Sequence, residues 1–402
     1  MKSEELKTDE DPQKDIALSP AALSTHIVTA DSVQAEEVPT IPIGSLETIS
    51  TLQPAVTVHA VNTTRTVSIP TPLVVQPEEY RRSLGEWLQI WRDGMRTAYL
   101  PLPLMPILLG SALAWTQTVT TKTPLGQFHL THFLAAIIAV FLLQWGANLV
   151  NDYYDYMRGI DTSNALGPGG LIQQGMLKPA RILLYGFILL GLGTVIGLIV
   201  ALRGGALVYL FGLIAVLGAY FYSAAIFPLS SYILGEVTGF FVFGPLITIG
   251  AYMIQSGGRL SSQALLYSIP LGLLAVAVLH VNNMRDMEGD TNAGKRTLAN
   301  TIGMGWSRAA YMVLVLLAYL IIIVVGAPHN APHTILIALW TLPILVIAIT
   351  GIIRSHAPAS FHQIIHQTLT LTTYFTIFLT VGLIVWAIIP VLPHIPAHLL
   401  PF

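Results

Sequence analysis

Nine runs of about 20 apolar residues, parted by short polar breaks, order the chain from residue 97 onward. They fall near 97–117, 131–155, 180–201, 205–223, 231–255, 263–285, 307–327, 333–353 and 367–390. A helix rises about 1.5 Å per residue, so a run of this length covers the ~30 Å hydrocarbon core of a bilayer. The two-residue alternation of a membrane β-barrel is absent, which leaves helices as the spanning element. The pattern therefore predicts an all-α, polytopic membrane protein with nine transmembrane helices.

Composition supports that class. Of 402 residues, 53% are hydrophobic and only 10% charged, against about 25% charged in soluble domains. Cysteine is missing, which excludes disulfides, thiolate chemistry, Cys-based zinc sites and Fe–S clusters. The first 80 residues differ in kind. Residues 1–76 hold ten acids and four bases among Ser, Thr, Val and Pro. With no basic start leading into an apolar core, this is not a signal peptide, and disorder is the expectation for 1–80. Residues 81–402 form the expected membrane domain, entered through an amphipathic stretch at 84–96 that carries Trp87, Trp91, Arg92 and Arg96.

Charge along the loops sets an orientation. With the tail and 84–96 in the cytoplasm, twelve of the 19 Lys and Arg lie at cytoplasmic helix ends or loops, three lie outside (Lys122, Arg203, Arg259), and four are in the tail. That bias is a positive-inside signal for a multi-pass cell-membrane protein. The second and sixth spans then both end on the cytoplasmic side.

The acids are rarer still. After residue 93 there are seven, and six fall in two windows at the ends of those same spans. The first is Asn148-Leu-Val-Asn151-Asp152-Tyr-Tyr-Asp155-Tyr-Met-Arg158-Gly-Ile-Asp161. The second is Asn282-Asn283-Met-Arg285-Asp286-Met-Glu288-Gly-Asp290, followed by Lys295 and Arg296. Carboxylates are costly in apolar surroundings and mark functional sites. On a continuing helix Asn148, Asn151/Asp152 and Asp155 share one face, and so do Asn282, Asp286 and Asp290. Oxygen ligands at this spacing suit Mg²⁺, which takes one or two carboxylates and fills its shell with water and phosphate oxygens. Neither window holds a His or Cys, which argues against zinc and copper. Arg158, Arg285, Lys295 and Arg296 supply positive charge for a polyanion, Arg through forked contacts.

Both windows resemble the two signatures of the UbiA superfamily of intramembrane prenyltransferases, an Asn-Asp-x-x-Asp motif on helix 2 and an Asp-x-x-x-Asp motif on helix 6. The resemblance spans about 85–390. Val281–Leu298 and Asn151–Asp161, with the third Asp six residues after the second, are similar to the menaquinone branch, the 1,4-dihydroxy-2-naphthoate polyprenyltransferases, as are Gly167-Pro-Gly-Gly170 and Gly235-Glu236. Two departures stand out. Gln173-Gln174 replace a basic residue found in many relatives, with Lys178 or Arg181 as possible substitutes, and the Tyr-x-x-x-Lys element of some branches is missing after Tyr220 and Tyr222.

The resemblance implies a bundle around a central cavity and Mg²⁺-dependent transfer of a polyprenyl group from its diphosphate to an aromatic ring. It implies Asp152, Asp155, Asp286 and Asp290 as metal ligands and catalytic residues, with Asn148 and Asn151 orienting ligands. Arg158, Lys178, Arg285, Lys295, Arg296 and Asn282 would bind diphosphate. Asp161 is left between pairing with a cation and acting as a base. In the menaquinone branch the acceptor loses CO₂ and the product is demethylmenaquinone. Other acceptors of the superfamily are 4-hydroxybenzoate, homogentisate, chlorophyllide and haem, and an ion-coupled transporter is the reading from another class. The expected partners are polyprenyl diphosphate, the aromatic acceptor and membrane lipid, with neither nucleic acid nor an obligate protein partner.

Plainer readings stand beside these. Glu236 fits either a helix-start carboxylate or a site residue. Gly167–Gly170 reads as a turn, or as a nest of backbone N–H groups. His356, His362 and His366 read as a solvated loop. Pro101, Pro103 and Pro106 read as a kinked entry to the first span, and Gly191, Gly193, Gly197, Gly212 and Gly218 as allowing close helix packing.

Overall fold

The computed structural model describes residues 83–121, 128–159, 171–172, 175–222, 224, 228–328 and 332–389. The tail 1–80, Asp161, Gly167–Gly170 and Gln173-Gln174 lie outside them.

A capping box opens the first helix, α1 (Leu84–Gly94). The Ser83 hydroxyl accepts from the Glu86 amide, and the Glu86 carboxylate accepts from the Ser83 amide at 2.7 Å. A tight turn at Arg96 leads into α2 (Pro101–Thr121), which stays helical through Pro106. Then come α3 (Leu130–Met157), α4 (Pro179–Gly204) and α5 (Ala206–Phe221). Next are α6 (Leu234–Ser256), α7 (Ser262–Arg285), the short α8 (Met287–Asn292) and α9 (Leu298–Gly326). The last two are α10 (His333–Arg354) and α11 (Pro358–Ile388).

Eight described helices are long and apolar enough to cross a membrane. The expected span at 205–223 is instead the 16-residue α5, held short by Gly205 (φ +76°) at its start and the turn at Tyr222. Another expectation fails near the end of the chain. His362 and His366 sit on the first turns of α11 and not in a loop, because after a short 3-10 turn at Pro358–Ser360 the α-helical part of α11 starts at Phe361 rather than near 367.

The packing centre is α7, 78% buried along its apolar window, with α9, α11, α6 and α2 against it. Wide turns at Val242–Leu246 interrupt α6, where Pro245 has no amide hydrogen to give. Gly244 lets that region close on α7, since a Cβ there would stand 2.9 Å from the Gly272 Cα. Of the glycines expected to serve close packing, Gly193 does so against the Ala139 carbonyl, whereas Gly191, Gly212 and Gly218 have nothing within 4 Å of a built Cβ.

Two features gather polar groups at one end of the bundle. At 28 residues α3 is about 42 Å long, more than the apolar core needs, so its last turns can carry Asn and Asp. Across from it, the Arg296 amide donates to the Ser231 carbonyl at 2.7 Å, tying the loop after α8 to the loop before α6.

Candidate active site

The face expected on α3 forms, with Asn148, Asn151, Asp152 and Asp155 all buried. Gly159, at φ +69°, ends the segment. Asn148 donates through Nδ2 to the Met95 carbonyl at 2.8 Å, and Asn151 donates to Asp155 Oδ2 at 2.6 Å. Arg158 lies 3.9 Å from Asp155 and over the Tyr154 ring.

The second stripe is not one continuous helix. The chain bends at Asp286 (φ −94°, ψ 7°), between α7 and α8, although the Asp290 amide still donates to the Asp286 carbonyl at 2.8 Å. Arg285 grips Asp286 with a fork, Nε to Oδ1 at 2.7 Å and Nη2 to Oδ2 at 2.6 Å. Lys295 Nζ stands 3.1 Å from Asp290 Oδ1. Asn282 accepts from the Tyr99 hydroxyl at 3.0 Å. Lys178, just before α4, and Arg296 are exposed, and neither forms an ion pair with a described residue.

The charges of the two windows meet at Lys295. Burial would pull its pKa down, but the fields of Asp155, Asp290 and Asp286 outweigh that and hold it above the ordinary lysine value. Asp155 belongs to α3 and Asp290 to α8, so one ammonium feels carboxylates from both. Tyr222 is placed similarly. Burial, Glu236, Asp155 and Asp290 push its pKa up to about 12 against the opposing field of Arg96.

Two groups escaped the sequence reading as site residues. The first is Arg96, whose Nη2 donates to Asp152 Oδ1 at 2.7 Å. It is the one non-glycine residue with positive φ (52°) among those described, a conformation that costs energy and marks positions under functional constraint. Burial lowers its pKa and Asp152 and Asp155 raise it, with a net upward shift. Only its place in the basic amphipathic stretch hinted at this role.

The second is His280 of α7, buried against Glu236 of α6, a residue the sequence left between a helix-start carboxylate and a site role. His280 Nδ1 lies 2.9 Å from Glu236 Oε1, and its Nε2 lies 3.1 Å from the Ser307 carbonyl oxygen. Asn283 donates to the same Glu236 oxygen at 3.0 Å. Glu236 thus fastens the helix that carries the second window.

The donor set fits a hard divalent cation bound together with phosphate. Every candidate ligand is a carboxylate or amide oxygen, and Asp155 Oδ1 is buried with no hydrogen-bond donor among the described residues. Among these residues no three His, Cys, Asp or Glu side chains could enclose a metal by themselves. Mg²⁺ does not require that, since water and phosphate oxygens complete its shell.

Comparison with known proteins agrees with this layout. A family model described as the UbiA prenyltransferase family matches residues 104–362. A 1,4-dihydroxy-2-naphthoate octaprenyltransferase of Bacillus subtilis is 26% identical over 311 residues, 77% of this chain and 96% of that protein. UbiA prenyltransferase domain-containing protein 1 of Gallus gallus is 34% identical over 275 residues, 67% of this chain and 76% of that protein. A solved UbiA homolog from Archaeoglobus fulgidus, bound to DMAPP and Mg²⁺, matches with a TM-score of 0.54 at 16% identity, covering 73% of this chain and 99% of that one, a likeness of fold.

Proposed function

The chain belongs to the UbiA prenyltransferase family, and on that premise we propose that it transfers a polyprenyl group from its diphosphate to 1,4-dihydroxy-2-naphthoate, giving the quinol form of demethylmenaquinone with loss of CO₂. The observation that supports this reading is Lys295, paired with Asp290 at 3.1 Å and held in the field of Asp155, so that the two distant windows would act as one diphosphate-binding centre.

The diphosphate would lie between the ends of α3 and α7–α8. Bound Mg²⁺, held by Asp152, Asp155, Asp286 and Asp290, would neutralise the leaving diphosphate as the allylic C–O bond breaks. Lys295, Arg158 and Arg285 face the same anion, and Arg285 would exchange part of its fork on Asp286 for phosphate oxygens. The bond's electron pair leaves with the diphosphate. The electron-rich ring carbon then bonds to the allylic carbon, and CO₂ departs from that ring carbon. Asn148 and Asn151 orient the α3 carboxylates, and Asn282 is held by Tyr99. Asp161 would serve as a cation partner or a base. The apolar tail of the substrate would run into the bilayer.

The acceptor assignment draws support from the sequence of the two windows and from the named activity of the Bacillus subtilis relative. The name of the Gallus gallus relative specifies no acceptor. We assign the site to the cytoplasmic face of the cell membrane from the loop charges, and the catalytic domain to residues 81–402. An ion-coupled carrier is disfavoured because the carboxylates gather at one end beside Arg and Lys, not at mid-membrane in broken helices.

The test uses membranes carrying the full chain, Mg²⁺, labelled geranylgeranyl diphosphate, and dihydroxynaphthoate in competition with 4-hydroxybenzoate and homogentisate. Mass spectrometry should find decarboxylated prenyl-naphthoquinol, and EDTA should abolish it. Product from another acceptor alone would replace the acceptor assignment. Turnover that persists in EDTA, or none with any acceptor, would overturn the reading.

A further inference from the structure

At the end of the bundle opposite the acidic windows the described residues include cations and no carboxylate counter-ions. No acid occurs in residues 94–151, 162–235 or 237–285, yet this end carries Arg203 and Arg259 together with His129 and His132. Arg203 Nη2 points at His129 Nε2, and its Nε is buried with no acceptor among the described residues. Burial, Arg203 and His132 all lower the pKa of His129, which favours the ring as an acceptor for the Arg203 guanidinium. Gln255 fixes the position by bonding both the amide and the carbonyl of His129.

Directly along the helices from Arg203 is a cavity of about 360 Å³, within the range of small-molecule sites. Val200, Val208 and Ile254, which flank the Arg203 cluster in sequence, line it. So do Leu198 and Leu213, which are 49% and 54% exposed and open the cavity sideways toward the hydrocarbon.

The cavity is not an extension of the acidic site. Of α3, Leu143 is the lining residue nearest the acidic window, and Asp152 follows nine residues later (152 − 143), about 14 Å along the axis and about 180° around it. We infer that this cavity seats an acyl chain of an anionic phospholipid from the bilayer, with the headgroup phosphate pairing with Arg203. Charge complementarity selects the anion, and the lateral opening admits a chain already in the membrane.

Two glycines give a test that spares the packing. Gly212 has nothing within 4 Å of a built Cβ, and Gly197 meets only the Ala139 Cβ at 4.0 Å. G197L and G212L together should therefore fill the cavity from within, and leucine is the better helix former. The full chain in neutral detergent is unfolded thermally with added dioleoylphosphatidylglycerol or dioleoylphosphatidylcholine, and bound lipid is counted by native mass spectrometry. The anionic lipid should raise Tm by about 2–4 °C beyond the zwitterionic one. Arg203→Gln should erase that excess, and the double leucine variant should lose the retained lipid. Equal response to both lipids, or an excess that survives both variants, would overturn the inference. Displacement of the lipid by geranylgeranyl diphosphate would overturn it too, by giving the cavity to a substrate tail.

Discussion

The guanidinium of Arg96 holds the carboxylate of Asp152 at 2.7 Å, bringing a residue with positive φ at the entry to α2 onto the first acidic window. Asp152 is 1% exposed, so loss of the Arg96 guanidinium weakens the neutralisation of a buried charge, a defect of up to about 3–5 kcal/mol. In the proposed reaction a divalent cation shares that neutralising task. Arg96→Ala should therefore lower Tm strongly in EDTA and less with Mg²⁺ and geranylgeranyl diphosphate. Arg96→Lys should keep most of the stability. An equal drop under both conditions would show that no cation reaches Asp152.

Lys295 predicts a pH profile. Its folded pKa is raised, so its ion-pair stabilisation is fully present below the ordinary lysine value of about 10.4 and is lost only above it, as pH rises through the folded value. Tyr222, pushed up to about 12, also stays protonated across this range. Neither group should impose an alkaline limb on kcat/KM between pH 7 and 10. Lys295→Met should cut kcat/KM by tenfold or more, each tenfold being about 1.4 kcal/mol of lost phosphate attraction, with the profile unchanged in shape. A new limb in the variant would place the titrating group elsewhere.

Glu236 and His280 should behave as a unit. Glu236→Ala removes the acceptor of both His280 and Asn283 in a region where all three side chains are poorly hydrated. A cost of about 1–3 kcal/mol is expected for leaving these buried donors without their acceptor. A double-mutant cycle of Glu236→Gln and His280→Asn, read by thermal unfolding, should give a coupling of about 0.5–3 kcal/mol. Additive effects would reduce the pair to a coincidence of packing.

The apolar runs made the bundle legible because each long helix must cover itself with hydrocarbon-like side chains. The scarcity of acids made the two windows legible for the same reason, since each carboxylate there is costly. Arg96 stayed hidden because its role depends on a left-handed backbone turn, which one isolated arginine does not announce. The pairing of Glu236 with His280 stayed hidden because its partners are 44 residues apart and the ring sits in the middle of an apolar run. The bend at Asp286 escaped because three polar residues at helical spacing read equally well with or without a break.

Glycine is where sequence and packing part most clearly, and it gives the last prediction. Gly110 of α2 has no special spacing, yet a Cβ there would lie 2.2 Å from the Thr248 carbonyl oxygen of α6, a backbone atom that cannot move aside cheaply. Gly191 of α4 lies in a glycine-rich run, yet a Cβ there meets nothing within 4 Å. Gly110→Ala should push α2 from α6 and destabilise the protein by about 1–3 kcal/mol or more. Gly191→Ala should be neutral or stabilising, by up to about 1 kcal/mol of helix propensity. Thermal unfolding of the two variants side by side decides the matter. If Gly110→Ala is tolerated as well as Gly191→Ala, the α2–α6 contact is looser than its geometry requires.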